Sequence, residues 1–154
     1  MRKIVVLLAL FVPAIAFSQK YFDKNRADVK KELEKYISIN KNINPVLSET
    51  DSSLIISVDE ADGKSTRFIY GFDKGTDKCI IQRTLAGCDS CYKKYLNNLL
   101  GQKEYGWKKL NGNQYVSKFA SHLLLELPFE NSERYFTLFR ASWTKELYDI
   151  LIKN

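Results

Sequence analysis

The sequence predicts a single two-layer α+β domain, in which an antiparallel sheet carries its helices on one side. Apolar residues recur at helical spacing in three segments, they alternate with polar residues in the segments between, and short turns join consecutive strands. The expected order of elements is α-βββ-α-ββββ-α. An internal βββα duplication is also open, because YKKYLNNLL and TKELYDILI each follow a group of strands and share apolar positions.

The first eighteen residues have the layout of a secretory signal peptide. Arg2 and Lys3 precede an apolar run over residues 4–12, and small residues follow it. The run is shorter than the roughly 20 residues that a membrane span requires. We therefore expect cleavage after Ser18, with Ala16 as the alternative, and a mature domain over residues 19–154. This domain would be secreted or periplasmic, with no membrane span left after cleavage.

The composition of the remaining chain excludes several classes of protein. Removal of residues 1–18 takes away two of the 24 basic residues and none of the 18 acidic ones, which leaves a net charge of +4. Such a mild charge without a clustered basic face does not favour nucleic-acid binding. Apolar residues make up 45% of the chain, which excludes a disordered protein. Three cysteines are too few for a disulfide scaffold, so the core must supply most of the stability.

A first helix is predicted over residues 23–43, where apolar residues recur between lysines and glutamates. Its apolar side consists of Val29, Leu33, Tyr36, Ile37 and Ile43. Asn44-Pro45 ends this helix, because a residue before proline is pushed out of the α region. A polar connector through Ser53 is expected to follow.

A hairpin is predicted over residues 54–72, with its turn at Gly63. A three-residue loop sets Val58 opposite Thr66 and brings both apolar sets onto one face, whereas a two-residue loop does not. The longer loop is therefore expected, with Gly63 in the left-handed conformation. A third strand is expected over residues 79–85, but the pattern does not determine which of its side chains face the core.

The second helix is predicted to begin with Asp89 or Ser90 as its N-cap and to end at Gly101. Its apolar side consists of Tyr92, Tyr95, Leu96, Leu99 and Leu100.

Two further hairpins and a short helix complete the predicted fold. Asn111-Gly112-Asn113 is a strong hairpin signal. The longer hairpin joins residues 122–129 to residues 134–142, in a register that places Leu125 opposite Leu138. The segment TKELYDILI then forms the last helix.

The three cysteines are the first candidates for chemistry. Cys88 and Cys91 stand two residues apart at the predicted start of the second helix, and Cys79 begins the third strand. In an oxidising compartment the favoured interpretation is a structural disulfide. Two pairings remain open: Cys88 with Cys91, or Cys79 with either of them. The remaining cysteine is expected to be buried and inert, or to bridge two chains.

Two chemical alternatives exist for these cysteines. A thiol-redox site would gain from the helix N-terminus, which favours a thiolate, but antiparallel strands precede the pair instead of a βαβ unit. A zinc site would need Cys79, Cys88, Cys91 and His122 together, and the chain has one histidine and one CxxC motif. We therefore predict no metal and no cofactor.

The remaining candidate is a surface. One side of the last hairpin mixes aromatic, aliphatic and polar side chains, a combination that is typical of interfaces. This predicted binding face consists of His122, Leu124, Glu126, Tyr135 and Phe139. The alternative is that the first or the last helix covers it.

The sequence thus predicts a small exported protein that is not an enzyme. It carries no nucleophile elbow and no glycine-rich phosphate loop. Its predicted work is the binding of an unknown protein or small ligand. The alternative is a thiol-redox or zinc-binding protein that uses Cys88 and Cys91.

Overall fold

The computed structural model describes residues 20–129 and 133–153, so the predicted signal peptide lies outside the described residues. Within them, the helices are α1 (Arg26–Ile39), α2 (Asp89–Leu100) and α3 (Lys145–Leu151). The strands are β1 (Val46–Glu49), β2 (Ser53–Asp59), β3 (Ser65–Phe72), β4 (Cys79–Leu85), β5 (Lys108–Lys109), β6 (Gln114–Val116), β7 (Leu123–Glu126) and β8 (Tyr135–Arg140). All the strand pairs are antiparallel, in the order β1-β2-β3-β4-β8-β7-β6-β5. The predicted α+β class is confirmed.

One strand is additional to the predicted order. The expected polar connector contains β1, which pairs with β2 along the sheet edge. Only Leu47 of this strand packs against the core, and Val46 is 62% exposed. An edge strand that buries one side chain has no apolar alternation, so the pattern could not reveal it.

The first helix packs on the sheet through the predicted apolar side. Val29 and Leu33 are fully buried, and Tyr36, Ile37 and Ile43 pack around them. α1 begins later than predicted because the Asn25 side chain caps it, accepting a hydrogen bond from the Asp28 amide. The helix also ends earlier than predicted, at Ile39, and a short 3₁₀ turn over Lys41–Ile43 follows it.

The first hairpin has the predicted register. Val58 stands opposite Thr66 and Ile56 opposite Phe68, which places both apolar sets against α1. Gly63 adopts a φ of 76° in the three-residue loop, the left-handed conformation that the longer loop requires. The predicted loop and facing are therefore confirmed.

A β-bulge explains why the facing of β4 could not be derived. Phe72 pairs with Cys79 and Gly71 pairs with Ile81, so Ile80 is an extra residue in the ladder. Cys79, Gln82 and Thr84 are consequently all buried, although the first two are three residues apart. A strict alternation cannot produce this pattern.

The element order repeats once along the described chain. A helix followed by four strands occurs twice, and the strands that end the two units, β4 and β8, pair at the centre of the sheet. The repeated succession contains four strands, where the sequence suggested three. α1 and α2 pack on the same face of the sheet, α1 over β2 and β3 and α2 over β7 and β8.

The last hairpin also has the predicted register, with Leu125 opposite Leu138 and Leu124 opposite Phe139. Leu125, Phe136 and Leu138 are buried beneath α2 together with Leu99. The other side of this hairpin therefore faces away from α1 and α2, which leaves it as a candidate surface.

Candidate functional site

The sheet face opposite α1 and α2, here called the outer face, presents half-buried apolar residues around two exposed arginines. Its residues in the central strands are Ile55, Arg67, Ile69, Gly71, Ile81, Arg83, Leu85, Leu124, Glu126, Tyr135, Thr137 and Phe139. Leu124, Glu126, Tyr135 and Phe139 were predicted to form a binding face, and the structure places all four here. They are half-buried.

The strand register arranges these side chains in transverse rows. Leu124 stands opposite Phe139, and Phe139 stands opposite Ile81, which gives one apolar row across three strands. The adjacent row contains Glu126, Thr137 and Arg83. The outer face therefore combines a continuous apolar strip with charged groups beside it.

A cavity of about 330 Å³ opens on the outer face next to this strip. Its lining residues are Ser52, Ser53, Ile69, Gly71, Phe72, Ile80, Ile81 and Arg83. Two features of the chain create the space. Gly71 has no side chain, and the bulge at Ile80 shifts the ladder between β3 and β4. Neither feature could be interpreted as part of a site from the sequence alone, so sequence reasoning missed this cavity.

Arg83 is held at the cavity by the neighbouring strand. Its Nε donates a hydrogen bond of 2.9 Å to Thr137 Oγ1, and its guanidinium carbon lies 5.4 Å from the centre of the Tyr135 ring. Within residues 20–129 and 133–153, no carboxylate lies within ion-pair distance of Arg83 or of Arg67. The outer face thus presents positive charge that the described residues leave unneutralised.

His122, the fifth residue of the predicted binding face, packs in an aromatic cluster. His122 has a φ of 49° and ends a 3₁₀ turn over Phe119–Ser121, one residue before β7 begins. Its ring lies 4.8 Å from the Phe119 ring and 6.4 Å from the Trp143 ring, centre to centre. Tyr148 extends this aromatic cluster and donates a hydrogen bond to the Ser117 carbonyl. His122 therefore has aromatic packing partners, and its part in the predicted binding face stays a prediction.

The disulfide is the local one of the two pairings left open. Cys88 and Cys91 are bonded, with their Sγ atoms 2.08 Å apart and their Cα atoms 5.0 Å apart. Cys79 is free and fully buried, and burial raises the pKa of its thiol to about 12. The expectation that the third cysteine is buried is confirmed, and this thiol is held in its unreactive protonated form.

The stabilisation expected from this disulfide is at the low end of the usual range, because the loop it closes is short. Closing a loop between residues three apart constrains the unfolded chain by about 2 kcal/mol, and longer loops gain more. A bond from Cys79 to either partner would have tied β4 to α2, whereas the bond that forms joins two residues of one helical turn. The bond therefore adds no connection between separate elements of the fold.

The turn before α2 fixes the position of Cys88. A Cβ atom on Gly87 would lie 2.7 Å from the Ser65 carbonyl oxygen, so only glycine fits there without a shift of the backbone. The Gly87 amide also donates a hydrogen bond to Thr66 Oγ1. Through these contacts, the start of β3 holds the N-terminus of α2 in place.

Cys88 itself is the N-cap of α2, where Asp89 or Ser90 was predicted. Its Sγ accepts a hydrogen bond of 3.0 Å from the Cys91 amide and lies 3.1 Å from Ser90 Oγ. The sequence prediction was wrong because sulfur is not among the preferred capping atoms, which are the oxygens of serine, threonine, aspartate and asparagine. A cleft of about 210 Å³ adjoins the disulfide, lined by Glu60, Ala61, Asp62, Cys88, Ser90, Cys91 and Lys94.

The four side chains considered for zinc are not brought together. Cys79 is the first residue of β4, the disulfide lies beyond its last residue, and His122 belongs to the second unit. Among the described residues, no group of three or more histidine, cysteine or acidic side chains could hold a metal ion. The zinc alternative therefore has no assembled ligand set in the described part of the chain.

Comparison with known proteins finds no matching family model, no matching curated protein and no matching solved structure. No helix in the described residues has the length and apolar character needed to cross a membrane.

Proposed function

We propose that this protein is an exported, non-catalytic binding protein that holds a small amphipathic carboxylate in the outer-face cavity. The observation that supports this proposal is the cavity itself, where apolar side chains adjoin the guanidinium of Arg83. Export rests on the predicted signal peptide of residues 1–18 and is consistent with the disulfide.

The lining determines the chemistry of the ligand. Ile69, Ile80 and Ile81 offer an apolar wall, on which a short hydrocarbon chain is favourably buried. Arg83 offers a planar cation with donors that suit a carboxylate, and its hydrogen bond to Thr137 uses only Nε. An anion with an apolar tail satisfies both groups at once.

The size of the cavity favours a small ligand. A volume of about 330 Å³ is near the lower end of the usual range of about 300 to 1,000 Å³ for small-molecule sites. A longer ligand would continue from Ile81 onto Phe139 and then Leu124, which stand opposite each other in the register. The predicted face residues would then extend the same site.

The proposal can be tested by titrating the full chain with octanoate and with methyl octanoate. We expect saturable binding of octanoate, with shifts of backbone amide resonances at Gly71 and Ile81, and weaker binding of the uncharged ester. Arg83→Gln is expected to weaken octanoate binding about tenfold, because a charged hydrogen-bond partner is lost. Arg67→Gln is the matched control, since it removes an exposed arginine from the same face at a residue outside the cavity lining.

A second variant tests the cavity rather than the charge. In Gly71→Val the new Cβ would lie 3.4 Å from the Ile81 Cβ, an ordinary contact, and the two methyl groups would occupy cavity space. We expect the fold to be retained and binding to be lost. Equal affinity for the acid and the ester, or unchanged affinity in both Arg83→Gln and Gly71→Val, would refute the proposed ligand class.

A further inference from the structure

We infer that Cys88–Cys91 is an exchange-active disulfide, which reacts with the thiols of a partner polypeptide through a mixed disulfide on Cys88. This activity is separate from ligand binding on the outer face. It rests on the contacts of Cys88 Sγ, on the cleft beside the bond and on the local nature of the bond.

The first observation is the set of donors around Cys88. The Cys91 amide donates to Cys88 Sγ at 3.0 Å, and the Ser90 hydroxyl lies 3.1 Å from the same atom. After reduction these groups would surround a thiolate, and hydrogen bonds to an ionised acceptor are stronger than those to a neutral one. Cys88 also stands at the N-terminus of a 12-residue helix, where a negative charge is stabilised. Cys88 is therefore the sulfur that is favoured as a thiolate.

The second observation is access. Cys88 and Cys91 are buried, with exposures of 7% and 6%, but both line the cleft of about 210 Å³, whereas Cys79 is fully buried and does not line it. Of the two carboxylates in the cleft, Asp62 forms an ion pair with Lys64, whereas Glu60 accepts a hydrogen bond from the neutral Tyr95 hydroxyl and keeps its negative charge. The cleft also contains Lys94, which contributes a positive charge.

The third observation is that α2 can persist when the bond opens. The Tyr92 amide donates to the Cys88 carbonyl, and Gly87 stays fixed to β3 through Thr66. These contacts hold the first turn of the helix whether or not the two sulfurs are bonded. The reduced form is therefore expected to keep the native fold, as a reversible exchange reaction requires.

The reaction balances with a partner dithiol as reductant. A partner thiolate attacks Cys88 Sγ, the Cys88–Cys91 bond breaks, and Cys91 leaves and takes up a proton. The second partner thiolate then attacks the partner's sulfur in the mixed disulfide and releases the Cys88 thiolate, which the donors stabilise. The chain gains two electrons, one of the two thiol protons goes to Cys91 and the other to solvent, and the partner becomes a disulfide. A partner disulfide reverses each step.

The first test is reduction of the full oxidised chain by dithiothreitol under native conditions, followed by alkylation and peptide mapping. We expect Cys88 and Cys91 to be alkylated while Cys79 remains unmodified and the circular dichroism spectrum remains native. A disulfide that resists dithiothreitol until urea unfolds the chain would overturn the inference, since it would be a protected structural bond.

The second test identifies the reacting sulfur. Oxidised glutathione is expected to modify Cys88 in Cys91→Ser at least about ten times faster than Cys91 in Cys88→Ser. Equal rates, or a faster reaction at Cys91, would overturn the assignment.

If a cysteine variant does not fold, the reduced Ser90→Ala chain replaces it in the test. Its Cys88 should react about three- to tenfold more slowly because one hydrogen bond is lost, whereas Ser38→Ala on α1 should leave the rate unchanged. An unchanged rate in Ser90→Ala would contradict the role of the donors.

Discussion

Gly87→Ala should destabilise the fold, because the junction between β4 and α2 has no room for a methyl group. The added Cβ would lie 2.7 Å from the Ser65 carbonyl oxygen and 3.0 Å from its carbon. Both atoms belong to the backbone of β3, so neither can rotate away. The conflict is one of contact rather than of backbone conformation, since Gly87 is not among the glycines with a positive φ.

The magnitude follows from three contributions. Overpacking of a closely packed position costs about 1 to 3 kcal/mol. A shift of this turn also strains the hydrogen bond from the Gly87 amide to Thr66 Oγ1, which is worth about 1 kcal/mol. Alanine recovers about 0.4 to 1 kcal/mol by restricting the unfolded chain. We therefore expect Gly87→Ala to lower the free energy of unfolding by about 2 kcal/mol.

Urea unfolding, followed by tryptophan fluorescence and circular dichroism, measures this difference. Gly112→Ala is the matched control, because nothing lies within 4 Å of its added Cβ and its φ is not positive. We expect that variant to be as stable as the natural chain or slightly more stable. A loss in Gly87→Ala of less than about 0.5 kcal/mol, the size of an ordinary surface effect, would refute the reasoning.

Four further predictions follow from single residues. Leu33→Ala should lower the free energy of unfolding by about 3 kcal/mol, because Leu33 is fully buried between α1 and the sheet. A loss below about 1 kcal/mol in urea unfolding would contradict this packing. Phe139→Ala should weaken the binding of a ligand long enough to extend from Ile81 onto Phe139, with a smaller effect on stability. A large loss of melting temperature with intact binding of that ligand would identify Phe139 as a core residue. Hydrogen bonds from Lys20 and Lys24 lower the pKa of Glu32 in the folded chain. The stability that Glu32 contributes is therefore present above its pKa in the unfolded chain and is lost as the pH falls through its folded pKa. The stability of Glu32→Gln, measured by urea unfolding across the acid range, should lack this loss, and a pH dependence identical to that of the natural chain would contradict it. The Cys79 thiol should resist iodoacetamide in the native chain and react once urea unfolds it, so rapid native labelling would contradict its burial.

The parts of the fold that could be predicted are those that the apolar pattern determines uniquely. A one-residue slip between β2 and β3 would expose every apolar side chain of one strand, so Val58 opposite Thr66 is the register compatible with a buried face. The same argument gave Leu125 opposite Leu138 correctly. The apolar side of α1 was predicted for a similar reason, since Val29 and Leu33 lie four residues apart on a helix.

The parts that could not be predicted depend on local backbone geometry that the pattern does not encode. The bulge at Ile80 breaks the alternation of β4, and it also helps to form the cavity, so the strand facing and the candidate site were missed together. The left-handed conformation of His122 and its packing against Phe119 likewise do not follow from the apolar alternation. The choice of Cys91 over Cys79 as the partner of Cys88 depends on where β4 ends relative to α2, which spacing alone leaves open.

Both candidate sites, the outer-face cavity and the Cys88–Cys91 disulfide, adjoin β4. The outer-face cavity is lined by Ile80, Ile81 and Arg83 of this strand, and the disulfide follows the end of the strand. Arg83 lies on the outer face, whereas α2, which begins at the disulfide, packs on the opposite face of the sheet, so a ligand beside Arg83 would not contact the disulfide. β4 also ends the first unit and lies at the centre of the sheet, and its hydrogen bonds to β3 and β8 leave it little freedom to shift. Binding and thiol exchange should therefore act as independent properties of one rigid sheet, and failure of either proposal leaves the other standing.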